Sequence, residues 1–153
     1  MEKEVNHQQA SVSFAGYLKN RFQLPDTDIK SYSPLTLAYI GDCVYELIIR
    51  TFIVEQGNAP VNKLHKKVIK LVQATAQAEH FYKIEALLTE EETSVYKRGR
   101  NAKSFTSAKN AGIVEYRTAT GVEALIGYLY LLNRTDRILE LMEPVIDSIV
   151  SIS

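Results

Sequence analysis

The sequence is poor in the features that build disulfide frameworks and membrane spans. Its 153 residues include a single cysteine, Cys43, so neither an internal disulfide nor a cysteine metal cluster can form. No segment approaches the roughly 18 consecutive apolar residues of a membrane-spanning helix. The N-terminal stretch MEKEVNHQQASVSF contains no apolar core of signal-peptide length. These absences predict a cytoplasmic protein without a membrane partner.

Net charge is absent as well. The 18 basic residues balance the 18 acidic ones, which argues against a protein that coats polyanions unspecifically. The charges are nevertheless segregated: every charged residue from Asn58 to Ala78 is a lysine, and every one from Thr93 to Val114 is a lysine or an arginine. Two basic segments in a neutral protein predict one basic face for a phosphate-rich partner. Two solvated helix surfaces are the alternative explanation.

The hydrophobic spacing predicts an all-α protein, a compact helical bundle. No βαβ alternation, hairpin signal or internal repeat is present, and the length suits one domain with its own core. Residues 1–30 are expected to form an N-terminal arm or a peripheral helix, and residues 31–153 the main domain. Ser33 and Pro34 predict the start of a central helix, and Gly57 predicts its end. This helix is apolar on nearly all sides and is therefore expected to be buried nearly all round.

Further helices are predicted along the rest of the chain. One begins after the GNAPVN loop and runs to about Leu88. Thr89, followed by three glutamates, predicts the start of the next helix, which fades near Lys97. Another helix begins at Thr118, and the last one is expected to bend or break at Pro144.

An aspartate interrupts the apolar stretch LAYIGDCVYELIIR of the central helix. An ionised carboxylate withdrawn from water is costly without a partner, so Asp42 should have one. Glu46 shares its helix face, and it forms either a carboxylate pair with Asp42 or, as we favour, an ion pair with Arg50. A hydrogen bond to a neighbouring tyrosine or backbone N–H is an equally good explanation of Asp42. Cys43 is expected to be a small buried side chain.

A second carboxylate lies in the apolar segment GVEALIGYLYLL. Gly127 follows Glu123 by one turn on the same helix face, where a missing side chain lets another helix approach closely. If Asp42 and Glu123 meet, they can hold one Mg²⁺ through oxygen ligands and retained waters. A metal in this position stabilises charge on a phosphate and activates a bound water for attack at phosphorus.

The segment KRGRNAKS, residues 97–104, contains four cations in eight residues and is predicted to be a flexible loop. Such a loop suits phosphate contacts, because arginine grips phosphate with two hydrogen bonds and lysine acts as a point charge. An exposed charged loop without a function is the alternative. The loop leads directly toward the helix that carries Glu123, which favours phosphate binding.

In combination and order, these motifs resemble the ribonuclease III family. LAYIGD, LHKK, KRGRNAKS and EALIGYL are most similar to its Mini-ribonuclease III branch, an all-helical nuclease domain without a double-stranded-RNA-binding domain. The resemblance covers about residues 34–135. It implies a homodimeric, magnesium-dependent endonuclease that cuts both strands of duplex RNA. Asp42 and Glu123 would be its catalytic Mg²⁺ ligands.

The resemblance further implies a role in rRNA processing during ribosome biogenesis. The substrate would be precursor ribosomal RNA, at the duplex formed by the ends of the large-subunit (23S) RNA, and ribosomal proteins or the assembling subunit are candidate partners. The chain departs from the larger family members at Ala38 and Thr120, where those carry a glutamate and an aspartate. Thr120 would orient a water, and Glu46 is a candidate replacement for a lost acid. The residues expected to position the RNA backbone are Lys66, Lys67, Arg98, Arg100 and Lys103.

Two alternatives to a nuclease remain at this point. The first is a non-catalytic RNA-binding or scaffold module that kept the fold and lost two acids. The second is an unrelated helical interaction domain whose two carboxylates are satisfied by tyrosines and N–H groups. Binding of a divalent ion separates the nuclease from the second alternative, and turnover of duplex RNA separates it from the first.

Overall fold

A computed structural model describes residues 13–102 and 112–152 of the chain. Within these ranges it contains seven α-helices, two short 3-10 helices and no strand, which confirms the predicted all-α fold. The α-helices are α1 (Phe14–Phe22), α2 (Pro34–Glu55), α3 (Val61–Val72), α4 (Ala74–Ile84), α5 (Glu90–Asn101), α6 (Ile113–Leu131) and α7 (Thr135–Ile152). The 3-10 helices are Ile29–Ser31 and Glu85–Leu87. None of the described helices is both long and apolar enough to cross a membrane.

Helices α2 and α6 form the centre of the bundle. They pack against each other more extensively than any other pair, α4 and α5 cover further sides of α6, and α3 packs against α2. The core side chains Ile49, Leu125 and Met142 come from α2, α6 and α7 and are fully buried. Burial of one such side chain contributes about 1.5–3 kcal/mol. The two segments that carry Asp42 and Glu123 are therefore held at the middle of the fold.

Two glycines let α2 and α6 touch backbone to backbone. A Cβ on Gly41 would lie 1.7 Å from the carbonyl oxygen of Glu123, and a Cβ on Gly127 would lie 1.9 Å from the carbonyl oxygen of Leu37. No side chain fits at either position, because a packed interior has no space for it. The close approach predicted at Gly127 is confirmed, and Gly41, next to Asp42, is its counterpart on the other helix.

The starts of α2 and α5 follow the predicted caps. The hydroxyl of Ser33 accepts a hydrogen bond from the N–H of Thr36 (3.2 Å), and Pro34 is the first helical residue. At the start of α5, the Thr89 hydroxyl accepts from the N–H of Glu92, and the Glu92 carboxylate accepts from the N–H of Thr89. Both starts are set by side chains adjacent in sequence, which is why they were predictable.

The helix expected to run to Leu88 is interrupted at Gln73. This residue has an extended backbone and separates α3 from α4. The buried side chain of Gln77 donates from Nε2 to the carbonyl oxygen of Val72 at 2.9 Å. That hydrogen bond satisfies one of the free carbonyls at the end of α3. The prediction of one continuous helix is wrong, because the chain breaks at Gln73 into two helices.

Helices α6 and α7 are longer than predicted. Helix α6 begins at Ile113 rather than Thr118, and α7 continues through Pro144 instead of breaking there. Proline removes one intrahelical hydrogen bond, but Leu141 and Val145 on either side of it are buried in the core. Tertiary packing stabilises this helix more than one missing bond destabilises it.

Helix α2 is not buried on all sides. An exposed row on it, the α2 stripe, repeats every four residues and therefore lies on one face. The stripe consists of Leu35, Tyr39, Cys43 and Leu47. The expectations that α2 is buried nearly all round and that Cys43 is buried are wrong, because no element of the described chain covers this face.

An arginine–glutamate pair fastens α5 to α7. Only 3% of Glu92 is exposed, and Arg137 donates from Nε and Nη2 to its two carboxylate oxygens at 2.8 Å each. Arg137 also donates to the carbonyl oxygen of Leu87 at 2.7 Å. The hydrogen bonds from Arg137 lower the pKa of Glu92, so the buried carboxylate is ionised and paired. This bidentate contact fixes the start of α5.

Candidate active site

Asp42 and Glu123 meet where α2 and α6 are in backbone contact. Gly41, the residue before Asp42, lies against the backbone of Glu123, and the two carboxyl side chains hydrogen-bond to each other. Asp42 is exposed, whereas Glu123 is partly buried. The expectation that Asp42 is withdrawn from water is therefore wrong. The withdrawn carboxyl belongs to Glu123, and Asp42 connects it to the solvent.

The electrostatics of this carboxyl pair favour binding of a positive charge. Burial, then the hydrogen bond to Asp42 and the negative charge of that residue, raise the pKa of Glu123 to about 9. Near neutral pH the pair therefore holds a proton, because two adjacent carboxylates repel each other when both are ionised. A divalent cation competes with that proton for the same oxygens. The carboxylate oxygens of the pair fit a hard cation such as Mg²⁺.

The described part of the chain contains no group of three His, Cys, Asp or Glu residues placed to hold a metal. Ala38 is buried in a cluster with Val95 and Ala124. The Thr120 hydroxyl donates to the carbonyl oxygen of Tyr116 at 3.0 Å. Apolar packing and a helix-internal hydrogen bond thus occupy the two positions at which larger members of the family that the sequence resembles carry acids. Two carboxylates leave most of the coordination sphere to water, which Mg²⁺ commonly retains.

Glu46 does not join the pair. Its Oε2 lies 2.9 Å from Nη2 of Arg50, four residues further along α2, so the predicted ion pair is confirmed. Both side chains are substantially exposed, and such a pair contributes about 0.3–0.5 kcal/mol. Glu46 stabilises the helix surface and offers the site no third carboxylate.

A buried tyrosine–histidine pair lies behind Glu123. The Tyr45 hydroxyl is 3.0 Å from Nδ1 of His80, whose Nε2 is 2.6 Å from the carbonyl oxygen of Leu141. A carbonyl only accepts, so Nε2 carries the proton and Nδ1 accepts from the tyrosine. Burial lowers the pKa of His80, which keeps the ring neutral. The Tyr45 hydroxyl thus donates its proton to His80 and not to Asp42.

This pair was not predicted from the sequence. Tyr45 lies three residues after Asp42 and shares its helix face, but no spacing pattern links it to His80. Burial and then the charge of Glu123 raise the pKa of Tyr45, so its hydroxyl stays protonated at neutral pH. It can therefore donate to His80 whatever the protonation state of Glu123.

The cations predicted to contact RNA lie on two helices. Lys66 and Lys67 are exposed on α3. Arg98 is exposed and Arg100 is half-buried in the last turn of α5. Lys103, the fifth predicted residue, lies outside the described residues. Among the described residues, the structure therefore divides the predicted cations between two separate helical surfaces.

Residues 97–101 are helical, so the prediction of a loop is wrong for them. The reason is Gly99, where a Cβ would lie 2.7 Å from Cβ of Ala124 and 3.0 Å from Cα of Gly121. This glycine serves close packing of α5 on α6 instead of loop flexibility. The neighbouring cations are consequently fixed to the helix that carries Glu123. Arg100 in addition lies over the ring of Tyr96, 5.8 Å from its centroid.

Comparisons with known proteins agree on one family. The family model "Ribonuclease III domain" matches residues 35–134. The Mini-ribonuclease 3 of Clostridium tetani is 56% identical over 121 residues, which are 78% of this chain and 80% of that protein. The Mini-ribonuclease 3 of a Thermoanaerobacter species is 50% identical over 131 residues, 86% of this chain and 92% of that protein.

A solved structure supports the same assignment. The crystal structure of a protein from Fusobacterium nucleatum matches with a TM-score of 0.74 at 35% identity, over 80% of this chain and 99% of that one. The segment matched by the family model contains both carboxylates and both glycines of the α2–α6 contact. The resemblance inferred from four short motifs is confirmed. The chain belongs to the ribonuclease III family, in its Mini-ribonuclease III branch, and is an endoribonuclease.

Proposed function

We propose that this endoribonuclease cleaves double-stranded RNA with the help of Mg²⁺ held by Asp42 and Glu123. Its proposed substrate is the duplex formed by the ends of precursor 23S ribosomal RNA, a choice that rests on the resemblance to the Mini-ribonuclease III branch. The supporting observation is the carboxyl pair at the backbone contact of α2 and α6. When bound, Mg²⁺ supplies charge stabilisation at the phosphate and an acidified water.

The protein's own groups divide the remaining tasks. Glu123 is fixed by the buried helix that carries it, and Asp42 faces the solvent from which the phosphate arrives. The Thr120 hydroxyl donates its hydrogen bond to the Tyr116 carbonyl oxygen. Its own oxygen can still accept a hydrogen bond from a water. Because no third carboxylate joins Asp42 and Glu123 among the described residues, waters would complete the coordination of a bound Mg²⁺.

A direct test compares RNA cleavage before and after Mg²⁺ is added to protein freed of metal with a chelator. We expect cleavage of both strands of a duplex only after addition. A duplex made from precursor 23S ends should be cut in preference to an unrelated duplex of equal length. Turnover without any divalent ion would contradict the metal assignment. Tight binding of duplex RNA without turnover in Mg²⁺ would instead favour the non-catalytic RNA-binding module.

The exposed cations of α3 and α5 are proposed to hold the RNA backbone. Duplex RNA is recognised largely by shape and 2′-hydroxyls, so this binding should be insensitive to sequence and sensitive to salt. Replacing both Lys66 and Lys67 by alanine, or Arg98 alone, should lower affinity and reduce the salt slope by about one for each phosphate that is no longer neutralised. Binding is measured against salt concentration in chelator. Lys83→Ala, an exposed lysine outside both basic segments, is the matched control and should change neither quantity.

The α2 stripe is proposed to be the contact between two copies of the chain. Tyr39 and Leu47 are 83% and 59% exposed, which is unusual for two large apolar side chains on one face of a helix. The stripe lies on the same helix as Asp42. A two-fold pairing across it would place two carboxyl pairs in one assembly, one for each strand of a duplex.

The dimer contact is tested by sedimentation. Leu47→Glu should convert a dimer into a monomer, because the substitution would bury two unpaired carboxylates at a two-fold contact. Leu87→Glu is a matched control, since Leu87 is 58% exposed and lies outside the stripe. A Leu47→Glu protein that sediments as the wild type would remove this face from the interface.

A further inference from the structure

A cleft of about 800 Å³ opens between the start of α2 and the outer face of α5. Tyr32 and Pro34 line one side, and Ser94, Lys97 and Arg98 line the other. Sites for small ligands typically have volumes of roughly 300–1,000 Å³, so this cleft admits a single nucleotide but not a duplex. Arg98, one of the cations proposed to hold the RNA backbone, borders this cleft, which has no other assigned role.

The cleft lies on the same face of α2 as the carboxyl pair. Pro34, Ala38 and Asp42 are spaced four residues apart and occupy successive turns of that face. Asp42 is therefore about 12 Å from Pro34 along the helix axis. Between them, Ala38 is buried in a cluster with Val95 of α5. Measured along α2, the cleft is close enough to the carboxyl pair for one RNA molecule to contact both.

The lining has the chemistry that a nucleotide requires. Lys97 and Arg98 are exposed, and none of the ion pairs found among the described residues involves them, so both are free to bind phosphate. Tyr32 is half-exposed, and an aromatic ring is a platform for a base of any type. The carboxylate of Glu90 and the amide of Asn101 also line the cleft and can bond a ribose hydroxyl, the group that distinguishes RNA from DNA.

We propose that this cleft binds an unpaired nucleotide next to the duplex, with its base on Tyr32 and its phosphate on Lys97 and Arg98. The proposal rests on the proposed function and refines its substrate, which becomes duplex RNA with a single-stranded extension. A free mononucleotide has the same chemistry. The extension is favoured because the cleft and Asp42 share one helix face.

The test compares three RNA duplexes of identical sequence, one blunt, one with a 3′ extension and one with a 5′ extension. Binding is measured in chelator, so that the carboxyl pair does not act. We expect one extension to raise affinity at least about five-fold, the lower end of what stacking of one base provides. Tyr32→Ala should abolish this gain, and Tyr32→Phe, which keeps the aromatic face, should preserve it. Tyr82→Ala is the matched control, an exposed tyrosine outside the cleft.

Each outcome decides between specific alternatives. Equal affinity for all three duplexes overturns the inference, while cleavage of the blunt duplex in Mg²⁺ still supports the proposed function. Lys97→Glu, an exposed position, should also abolish the gain, and it serves if Tyr32→Ala fails to fold. Adenosine monophosphate in excess should reduce the extended duplex to the affinity of the blunt one. If the mononucleotide binds the cleft and no extension raises affinity, the site serves a free nucleotide and the proposal is wrong.

Discussion

Replacing Glu123 by glutamine, or Asp42 by asparagine, is expected to lower cleavage of duplex RNA about 10³-fold while the protein stays folded. Each residue supplies an oxygen to the proposed Mg²⁺ site. The several kcal/mol that a metal ion contributes to a phosphoryl transition state correspond to about that factor. Both amides match the carboxyls in shape, and an amide can still hydrogen-bond to the remaining carboxylate. The loss should therefore be one of chemistry, not of folding.

The stability of Glu123→Gln shows whether a loss of cleavage comes from the missing carboxylate or from unfolding. The pKa of Glu123 is raised in the folded protein from 4.5 to about 9, so between these values the folded state holds a proton that the unfolded state has released. The free energy of unfolding of the wild type should then decrease as pH rises through this window, by at most about 1.4 kcal/mol per pH unit. Glutamine does not titrate, and the variant should lack this dependence.

Thermal unfolding in chelator between about pH 5 and pH 9 measures this difference. Glu46→Gln is the matched control, because Glu46 lies on the surface of the same helix as Asp42, in an ion pair with Arg50. It should keep both the pH dependence and full cleavage. Mg²⁺ should raise the melting temperature of the wild type and not that of Glu123→Gln. Wild-type turnover by either site variant would remove that residue from the metal site.

Helix caps and ion pairs formed between residues close in sequence were predictable from the sequence alone. The caps at Ser33 and Thr89 are set by side chains within three residues, and the Glu46–Arg50 pair by helical spacing. The meeting of Asp42 with Glu123 was different, because helical spacing showed only that each lies in an apolar helix. Their convergence was expected from the order of the motifs in the family.

Solvent exposure and the role of glycine were predicted less well. Asp42 and Cys43 lie in a strongly apolar sequence and are nevertheless exposed, since local pattern does not reveal which face of a helix its neighbours leave uncovered. Gly99 was interpreted as part of a loop, yet it forms a close contact between helices. Only knowledge of α6 opposite α5 distinguishes these two uses of glycine. The role of His80 could likewise not be predicted from its neighbours in sequence, because its hydrogen-bond partners lie on α2 and α7.

Gly41→Ala is expected to destabilise the protein by about 1–3 kcal/mol and to abolish cleavage. Helix propensity alone predicts the opposite sign, a stabilisation of about 0.8–1.0 kcal/mol. The added Cβ, however, would lie 1.7 Å from the carbonyl oxygen of Glu123 and 2.7 Å from the backbone nitrogen of Gly127. These are backbone atoms that cannot rotate away, so α2 and α6 must move apart, at a cost of typically about 1–3 kcal/mol or more. That movement also separates Asp42 from Glu123.

Chemical denaturation of the variant and of Gly57→Ala measures this effect. Gly57 follows the end of α2 at φ +132°, and no heavy atom lies within 4 Å of a Cβ built there. Its substitution should cost only the backbone strain of a left-handed residue, about 1–2 kcal/mol, and should leave cleavage intact. A Gly41→Ala protein with wild-type stability would show that α2 and α6 are not in backbone contact. Asp42 and Glu123 would then lack the arrangement that brings their carboxyl groups together, and the proposed Mg²⁺ site would lose its structural basis.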